Sequence, residues 1–556
     1  MNEKFKNPKL IIVKPIGGFH GVSAIFPNFK DVIDYEEGNI ILNRGYPRFV
    51  THPFVRHIED VYKVKYNSLE ALCFQSFESA IFLTFEYYIM KGRKFFVSDG
   101  LPSKFFEFFN QKFPNFIMKT EISNADILLI NVNQWKNDIK SQNNIVVGIA
   151  ETKIEDFNAF SKKFDILIQY DKKNDIGIII FYIDIHPDII LLRRHSGLIA
   201  SSRKICRTSE SYQENYKKQE NNLKIILSKL EKTDLNNCFL YPSGMAAVFS
   251  AIYSLISSDK SRFIALGSLY VDTIRILEKW PQKYSINETL FIPNNFESVL
   301  KNNIDENTAG IIFEIPSNPL IQLLDVEKIV SIAHNYGVKV IVDNTIASPY
   351  NLNPFDYDVD FIVHSTTKFL NGKNNHIGGV LLTRDKEYKE KVKKLYNLMN
   401  LNMALDDIKT LTRNLKNFEI RMKKINQNAL KVAKYLDNHP SVKKVYYPFL
   451  KTDHNYNIAK KYLNGGSGLI SFTLNDSTKE NAENFYNNIK LPILKGPSLG
   501  SEKTLLSPYV IMAHFNDPKE KLKQMGLDFY LMRLSIGIDS LEKIIRSLDE
   551  ALSYIN

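Results

Sequence analysis

VKVIVDNTIASPYNLNPFDYDVDFIVHSTTKFLNG, residues 338–372, decides the fold. It holds two β-branched apolar runs, VKVIVDN (338–344) and DFIVH (360–364), and each ends in residues that carry chemistry. Runs without polar alternation read as strands buried on both faces, which is the signature of a parallel sheet covered by helices. Ligands of such sheets sit beyond the carboxyl ends of the strands, so DNT (343–345) and HSTTK (364–368) are expected to face one crevice.

Working outward, FIALG (263–267) and GIIFEI (310–315) are further strand-like runs, and DVEKIVSIAHNYG (325–337) has helical spacing. The alternation from about 236 predicts an α/β unit. After about 400 come two long helical patterns, then GSGLISFTLND (466–476) and FYLMRLSIGIDSLEKIIRSLDEAL (529–552), which suit a smaller α+β domain. The expected division is an N-terminal extension over 1–195, a large domain over 196–400 and a small C-terminal domain over 401–556.

The extension reads as a worn copy of the start of the large domain. GYPRFVTHPFVRHIEDVYKVKYNSLEALCFQSFESAIF (45–82) runs from an aromatic-x-Arg start through an amphipathic helix to a small-residue turn. The same order recurs from SSRKICR (201–207) through LEKTDLNNCFLYPSGMAAVFSAIYSL (230–255). Its turn is QSFESA in the first copy and PSGMAA in the second, and only the second keeps the glycine that lets backbone approach an anion.

Bulk properties bound the function. With 556 residues, 44% hydrophobic and 24% charged, the chain can bury more than one core and is neither disordered nor collagen-like. The net charge of +11 is spread along the chain without a basic block interleaved with aromatics, so a solvated basic surface is expected and a nucleic-acid partner is not. Cys73, Cys206 and Cys238 show no CxxC or Cys/His spacing, so neither a disulfide framework nor a metal is expected. No stretch approaches the roughly 20 apolar residues of a membrane span, and the N-terminus does not read as a signal peptide. A cytoplasmic protein without a membrane partner is expected.

Lys368, flanked by Ser365, Thr366 and Thr367, suits a lysine that forms an imine with a cofactor aldehyde while hydroxyls and amides hold a phosphate. Asp343 then keeps the ring nitrogen of pyridoxal 5'-phosphate (PLP) protonated, and the charged ring acts as electron sink. PSGMAA, GSLY, EIPSNP, VIVDNT, HSTTKFLNG, IGG, GPSLG and MRLSIG succeed one another along the chain. In these motifs the chain resembles the Cys/Met-metabolism PLP enzymes: cystathionine synthases and lyases, methionine γ-lyases and homoserine-ester sulfhydrylases. The resemblance implies the aspartate-aminotransferase-like fold type I, with PLP as cofactor.

It also implies roles. Lys368 carries the cofactor and Asp343 partners its ring nitrogen; Gly244 and Met245 form the phosphate turn at a helix N-terminus. Ser365 and Thr367 supply phosphate hydroxyls, and Tyr270 stacks on the ring and transfers protons. Asn318 touches the ring hydroxyl or the substrate carboxylate, Arg533 forks the α-carboxylate, and Ser498 supports it. The family's Tyr-x-Arg motif, which reaches a neighbouring subunit's phosphate, has two rival matches: Tyr46 with Arg48, and Arg203 in SSR, the favoured one.

HGVSAIFPNFKDVIDYEEG (20–38), RGYPRF (44–49), GLIASSR (197–203) and GPSLGSEKTLLSPYVIMAH (496–514) are similar to the extended, fungal-type cystathionine γ-synthases. That likeness implies a γ-replacement on O-succinyl- or O-acetylhomoserine with cysteine as nucleophile, in a homodimer or homotetramer. Sulfhydrylase and lyase activity are the enzymatic alternatives. Asp272 stands where methionine γ-lyases carry cysteine, which weighs against that activity. A non-catalytic scaffold is the rival of another class, and the intact set of Lys368, Asp343, Gly244 and Arg533 argues against it.

Overall fold

Three sheets carry the chain, and two of them share one strand order. The computed structural model describes residues 9–12, 15–43, 52–112, 118–119, 121–132, 144–151, 163–205, 212–257, 259–279, 286–290 and 296–555. Short strands β1 (Lys9–Ile11), β2 (Pro15–Ile16), β3 (Ser23–Ala24) and β4 (Ile40–Leu42) come first. The first large sheet comprises β5 (Glu70–Phe74), β6 (Phe95–Val97), β7 (Met118–Lys119), β8 (Ile127–Asn131), β9 (Ile145–Ala150), β10 (Ile166–Asp171) and β11 (Ile176–Phe181). Its order is β5-β11-β10-β9-β8-β6-β7.

The second comprises β12 (Cys238–Tyr241), β13 (Arg262–Leu266), β14 (Ile286–Leu290), β15 (Thr308–Glu314), β16 (Lys339–Asp343), β17 (Phe361–Ser365) and β18 (Gly379–Thr383). Its order, β12-β18-β17-β16-β15-β13-β14, repeats the first position by position. In each sheet the last strand in sequence is antiparallel to both neighbours, and the other pairs are parallel. The second sheet is the expected α/β unit with mainly parallel strands. KVIVD forms β16 because its apolar residues pack helices on both faces.

The third sheet, β19 (Val442–Tyr446), β20 (Leu469–Leu474), β21 (Leu494–Lys495), β22 (Leu505–Pro508) and β23 (Met532–Ser535), has the order β19-β20-β23-β22-β21 and forms the smaller C-terminal unit. Residues 15–42 depart from the grouping expected from the sequence. Phe26, Phe29 and Val32 pack into the core of the third sheet, not the first. The Tyr486 hydroxyl donates to Phe26 O at 3.0 Å, and Phe29 N donates to Asn487 Oδ1 at 2.9 Å.

The first two sheets meet through helices. Helix Phe77–Met90 is apolar on nearly every side, and such a helix is stable only when surrounded. It lies against helix Gly244–Leu255: the Phe82 ring is 6.3 Å from that of Phe249 and 5.5 Å from that of Tyr253. The Tyr253 hydroxyl donates to Glu86 Oε2 at 2.9 Å. Phe82 is fully buried in the core common to both sheets. Phe82→Ala should therefore lower stability by about 3–5 kcal/mol, read as a lower urea midpoint of the protein without added cofactor.

Candidate active site

One cavity lies beyond the carboxyl ends of β15, β16 and β17, where the sheet rule places it. It brings together Gly244, Met245, Tyr270, Asn318, Asp343, Ser365, Thr367, Lys368 and Arg533 from the residues expected by sequence. Ser498 touches the same site through Lys368, whose Nζ donates to Ser498 Oγ at 3.3 Å. Lys368 is only 9% exposed.

The phosphate end arises from local sequence. Ser243 caps helix Gly244–Leu255, its hydroxyl accepting from Ala246 N at 3.0 Å. The other amides of that first turn have no acceptor within the helix. A Cβ at Gly244 would stand 2.7 Å from Ser365 Cβ, so only glycine lets the helix start meet the end of β17. Positive dipole, amides and the hydroxyls of Ser365 and Thr367 then converge on a space suited to an anion.

Thr345 ties the strand ends together. Its hydroxyl accepts from Ser365 N at 2.8 Å, and its own amide donates to Asp343 Oδ1 at 2.9 Å. Asp343 pairs in register with Glu314 on β15, so two carboxyls share a buried wall. Burial and the Asp343 charge push the Glu314 carboxyl well up, and burial raises Asp343 against the two Thr345 hydrogen bonds. Glu314 accepts from Tyr270 N, while Asp343 faces the cavity beside it.

The substrate end is a preset fork. Arg533 Nη1 donates to Asn318 Oδ1 at 2.9 Å, and Nη2 donates to Pro497 O at 2.8 Å and Ser498 O at 3.3 Å. Its guanidinium lies 4.6 Å from the centroid of the Tyr509 ring, whose hydroxyl accepts from Asn318 Nδ2 at 3.0 Å. Elsewhere on the cavity wall the Tyr270 hydroxyl donates to Asp272 Oδ2 at 3.1 Å, and Arg194 Nη2 reaches Asp272 Oδ1 at 3.3 Å.

Arg203, matched by sequence to an arginine that reaches a neighbouring subunit's phosphate, meets Asp407 within its own chain. It does not line the cavity; its Nη1 donates to the buried Asp407 Oδ1 at 3.3 Å. Asp407 also accepts from Ser201 Oγ at 2.9 Å and lies 3.3 Å from His376 Nδ1, whose Nε2 is 2.9 Å from Thr366 Oγ1. Arg203 thus anchors the lysine loop from behind. Tyr46 and Arg48 lie outside the described residues, as does Cys206. Sequence reasoning missed Glu314 and Tyr509, although both sit inside quoted motifs. It also missed Val22 and residues 199–202 as lining residues, although they sit in the quoted stretches 20–38 and 197–203, and His52 and Arg194, which line the cavity from the N-terminal half.

These residues fit PLP: a glycine-bounded anion cradle, a buried lysine and a buried carboxyl open to a ring cation. Among the described residues there is no cluster of three His, Cys, Asp or Glu for a metal, and no helix long and apolar enough to cross a membrane.

Residues 202–553 match the family model for Cys/Met metabolism PLP-dependent enzymes. A cystathionine gamma-lyase of Bacillus subtilis is 31% identical over 333 residues, covering 60% of this chain and 86% of that protein. A cystathionine beta-lyase of Lactococcus lactis is 34% identical over 315 residues, covering 56% and 81%. The crystal structure of a cystathionine gamma synthase from Xanthomonas oryzae with cystathionine superposes with TM-score 0.57 at 25% identity, over 63% of this chain and 88% of that one.

The Asp407 hub yields a test with a defined sign. Burial raises this carboxyl, but the His376 hydrogen bond and charge, the Arg203 cation and the Ser201 hydroxyl outweigh burial and hold it below its ordinary range. Its folded-state value is depressed, so its stabilisation is complete above the ordinary carboxylate pKa of about 4 and is lost as pH falls through the folded value. Asp407→Asn should cost about 3 kcal/mol at neutral pH. In urea melts the gap to wild type should stay constant from about pH 8 to pH 5 and narrow below about pH 4.

Proposed function

The chain belongs to the Cys/Met-metabolism family of PLP-dependent enzymes, and from that premise we propose that it joins the thiol of cysteine to Cγ of an O-acylhomoserine, giving cystathionine. The observation that carries this reading is a cavity lined by two polar sets that share no residue, Arg533 with Asn318 and Arg194 with Asp272. Arg533 and Asn318 suit the α-carboxylate of one amino acid, and Arg194, His52 and Asp272 suit the charged groups of a second. An enzyme that handled one small amino acid would need only the first set.

PLP, when bound, supplies the electron sink that makes protons next to the substrate amine removable. The chain's own residues do the rest. Arg533 engages the α-carboxylate bidentately, and its other contacts fix the plane of the fork, so little freedom is lost on binding. Lys368 Nζ removes the proton from Cα and then moves protons at Cβ. Ser498, which donates onward to Asn374 Oδ1 at 3.2 Å, keeps the lysine amine oriented between these positions. The Cγ–O bond breaks and the acyl carboxylate leaves; the cysteine sulfur then bonds to Cγ as its proton passes to the Tyr270 oxygen while the Tyr270 proton moves on to the Asp272 carboxylate. Asp343, at the end of β16 and on the cavity wall, would hold the protonated ring nitrogen of the bound cofactor.

A lyase would run the same cavity on cystathionine itself, and the named relatives from Bacillus and Lactococcus favour that second reading. A sulfhydrylase would replace cysteine by sulfide. The buried Cys73 and Cys238, neither in a disulfide, suit a reducing cytoplasm.

Product analysis separates these readings. With O-succinyl- or O-acetylhomoserine and equal cysteine and sulfide, cystathionine should dominate. Homocysteine as main product would make the enzyme a sulfhydrylase, and breakdown of added cystathionine without synthesis would make it a lyase. Arg533→Lys should raise KM for the O-acylhomoserine at least about tenfold, since the ammonium cannot reproduce the planar fork; an unchanged KM would remove Arg533 from the carboxylate site.

A further inference from the structure

We infer that residues 52–205 form a cofactor-free pseudo-subunit: a second copy of the large-domain fold that completes the one PLP site of the chain in cis, from the position a partner protomer would occupy. This rests on the family assignment but not on which thiol is used.

The two copies meet reciprocally. Ser76 and Ser243 each cap the helix that comes after the first strand of their own sheet. Each also reaches into the other copy: Ser243 Oγ donates to Gly197 O at 3.0 Å, and Ser76 Oγ donates to Met399 O at 2.6 Å. Gly197 and Met399 come just after helices Pro187–His195 and Lys386–Leu398, the elements after the last strand of each sheet. Both helices close in the same turn, with Leu198 N donating to Arg193 O and Leu401 N donating to Tyr396 O, each after a residue of positive φ. Matching the two turns sets Gly197 against Asn400, so the acceptors Gly197 and Met399 lie one position apart and the pair approximates the i-to-j, j-to-i contacts of an isologous interface, which two identical subunits ordinarily make. Here one chain makes both halves of it, and helix Phe77–Met90 covers the face of helix Gly244–Leu255 that a second chain would need.

Strand register shows what the first copy lacks. Gly177 pairs with Phe74 and Tyr170, as Gly379 pairs with Tyr241 and Ser365. A Cβ at Gly177 would meet Ser76 O at 2.5 Å, and one at Gly379 would meet Ser243 O at 2.2 Å, so the two turns occupy equivalent places. Phe77 then stands where Gly244 does and Tyr170 where Ser365 does, and their rings, 5.7 Å apart, fill the anion cradle. Ile149, paired with Ile168, takes the place of Asp343, paired with Val363. Residues 172–175 join β10 directly to β11, whereas residues 366–378, with Lys368, join β17 to β18.

What the first copy has kept is the wall it gives its neighbour. His52, Arg194, Gly197, Ser201 and Ser202 line the cavity, and Arg194 holds Asp272, which holds the Tyr270 hydroxyl. The homodimer implied by the family resemblance is thereby replaced by a pair within one chain.

Full-length protein decides this. Titration of the apoprotein with PLP should saturate at one per chain, and on dilution in the analytical ultracentrifuge the PLP absorbance should stay with a 64.2 kDa species. Arg194→Ala, with His52→Ala as a second variant, should lose at least tenfold in PLP affinity or in KM, with a shifted pH profile, while far-UV circular dichroism is unchanged. Co-expressing either variant with Lys368→Ala should restore no activity, because each chain builds its site alone. Two PLP per chain, PLP retained only by a two-chain species, recovery on co-expression, or both variants behaving as wild type would overturn the inference. Protein that binds no PLP at all would count against the cofactor site itself.

Discussion

Gly244 against Ser365 is the contact on which the rest of the site depends. With 2.7 Å between a virtual Cβ at 244 and Ser365 Cβ, no other residue lets the start of helix Gly244–Leu255 reach the end of β17. That approach sets the anion cradle beside the lysine loop, because Lys368 lies three residues beyond Ser365. Asp343, paired in register with Glu314 at the end of β16, would be the residue to hold the ring nitrogen of the cofactor, and Lys368 the one to carry it. Fold and chemistry are therefore coupled through one close backbone approach.

The lysine loop is held from several sides by parts distant in sequence. Val22 N donates to Asn374 O at 2.9 Å, and a side chain at Gly17 or Gly500 would strike the loop backbone at Asn374 or Phe369. Behind it, Thr366, His376 and Asp407 form a buried chain that ends on Ser201 and Arg203. The N-terminal hairpin, the C-terminal unit and the link between the two large sheets thus converge on the loop of residues 366–378, which keeps Lys368 oriented when its amine is free.

The second sheet and its site were legible because strand-end motifs carry their own geometry: DNT and HSTTK end adjacent buried strands, and PSGMAA opens a helix. Arg533 and Asn318 were legible as types, and their pairing came only with the fold, since β23 and the segment after β15 are remote in sequence. The ion pair of Arg203 was invisible because a basic residue near a motif says nothing of which acid it meets, and Asp407 is 204 residues away. The seating of Phe26 and Phe29 on the third sheet was equally invisible, since apolar periodicity tells that a face is buried and not against what. The walls given by His52 and Arg194 left no trace because a lining residue needs no motif.

Lys368 is proposed as the one lysine that carries PLP. Borohydride reduction of the purified full-length protein, followed by proteolysis and mass mapping, tests it most directly. One modified peptide, containing Lys368, is the expected result. A label on Lys172 or Lys173, which lie in the first copy's turn between β10 and β11, or no label on protein saturated with PLP, would contradict it.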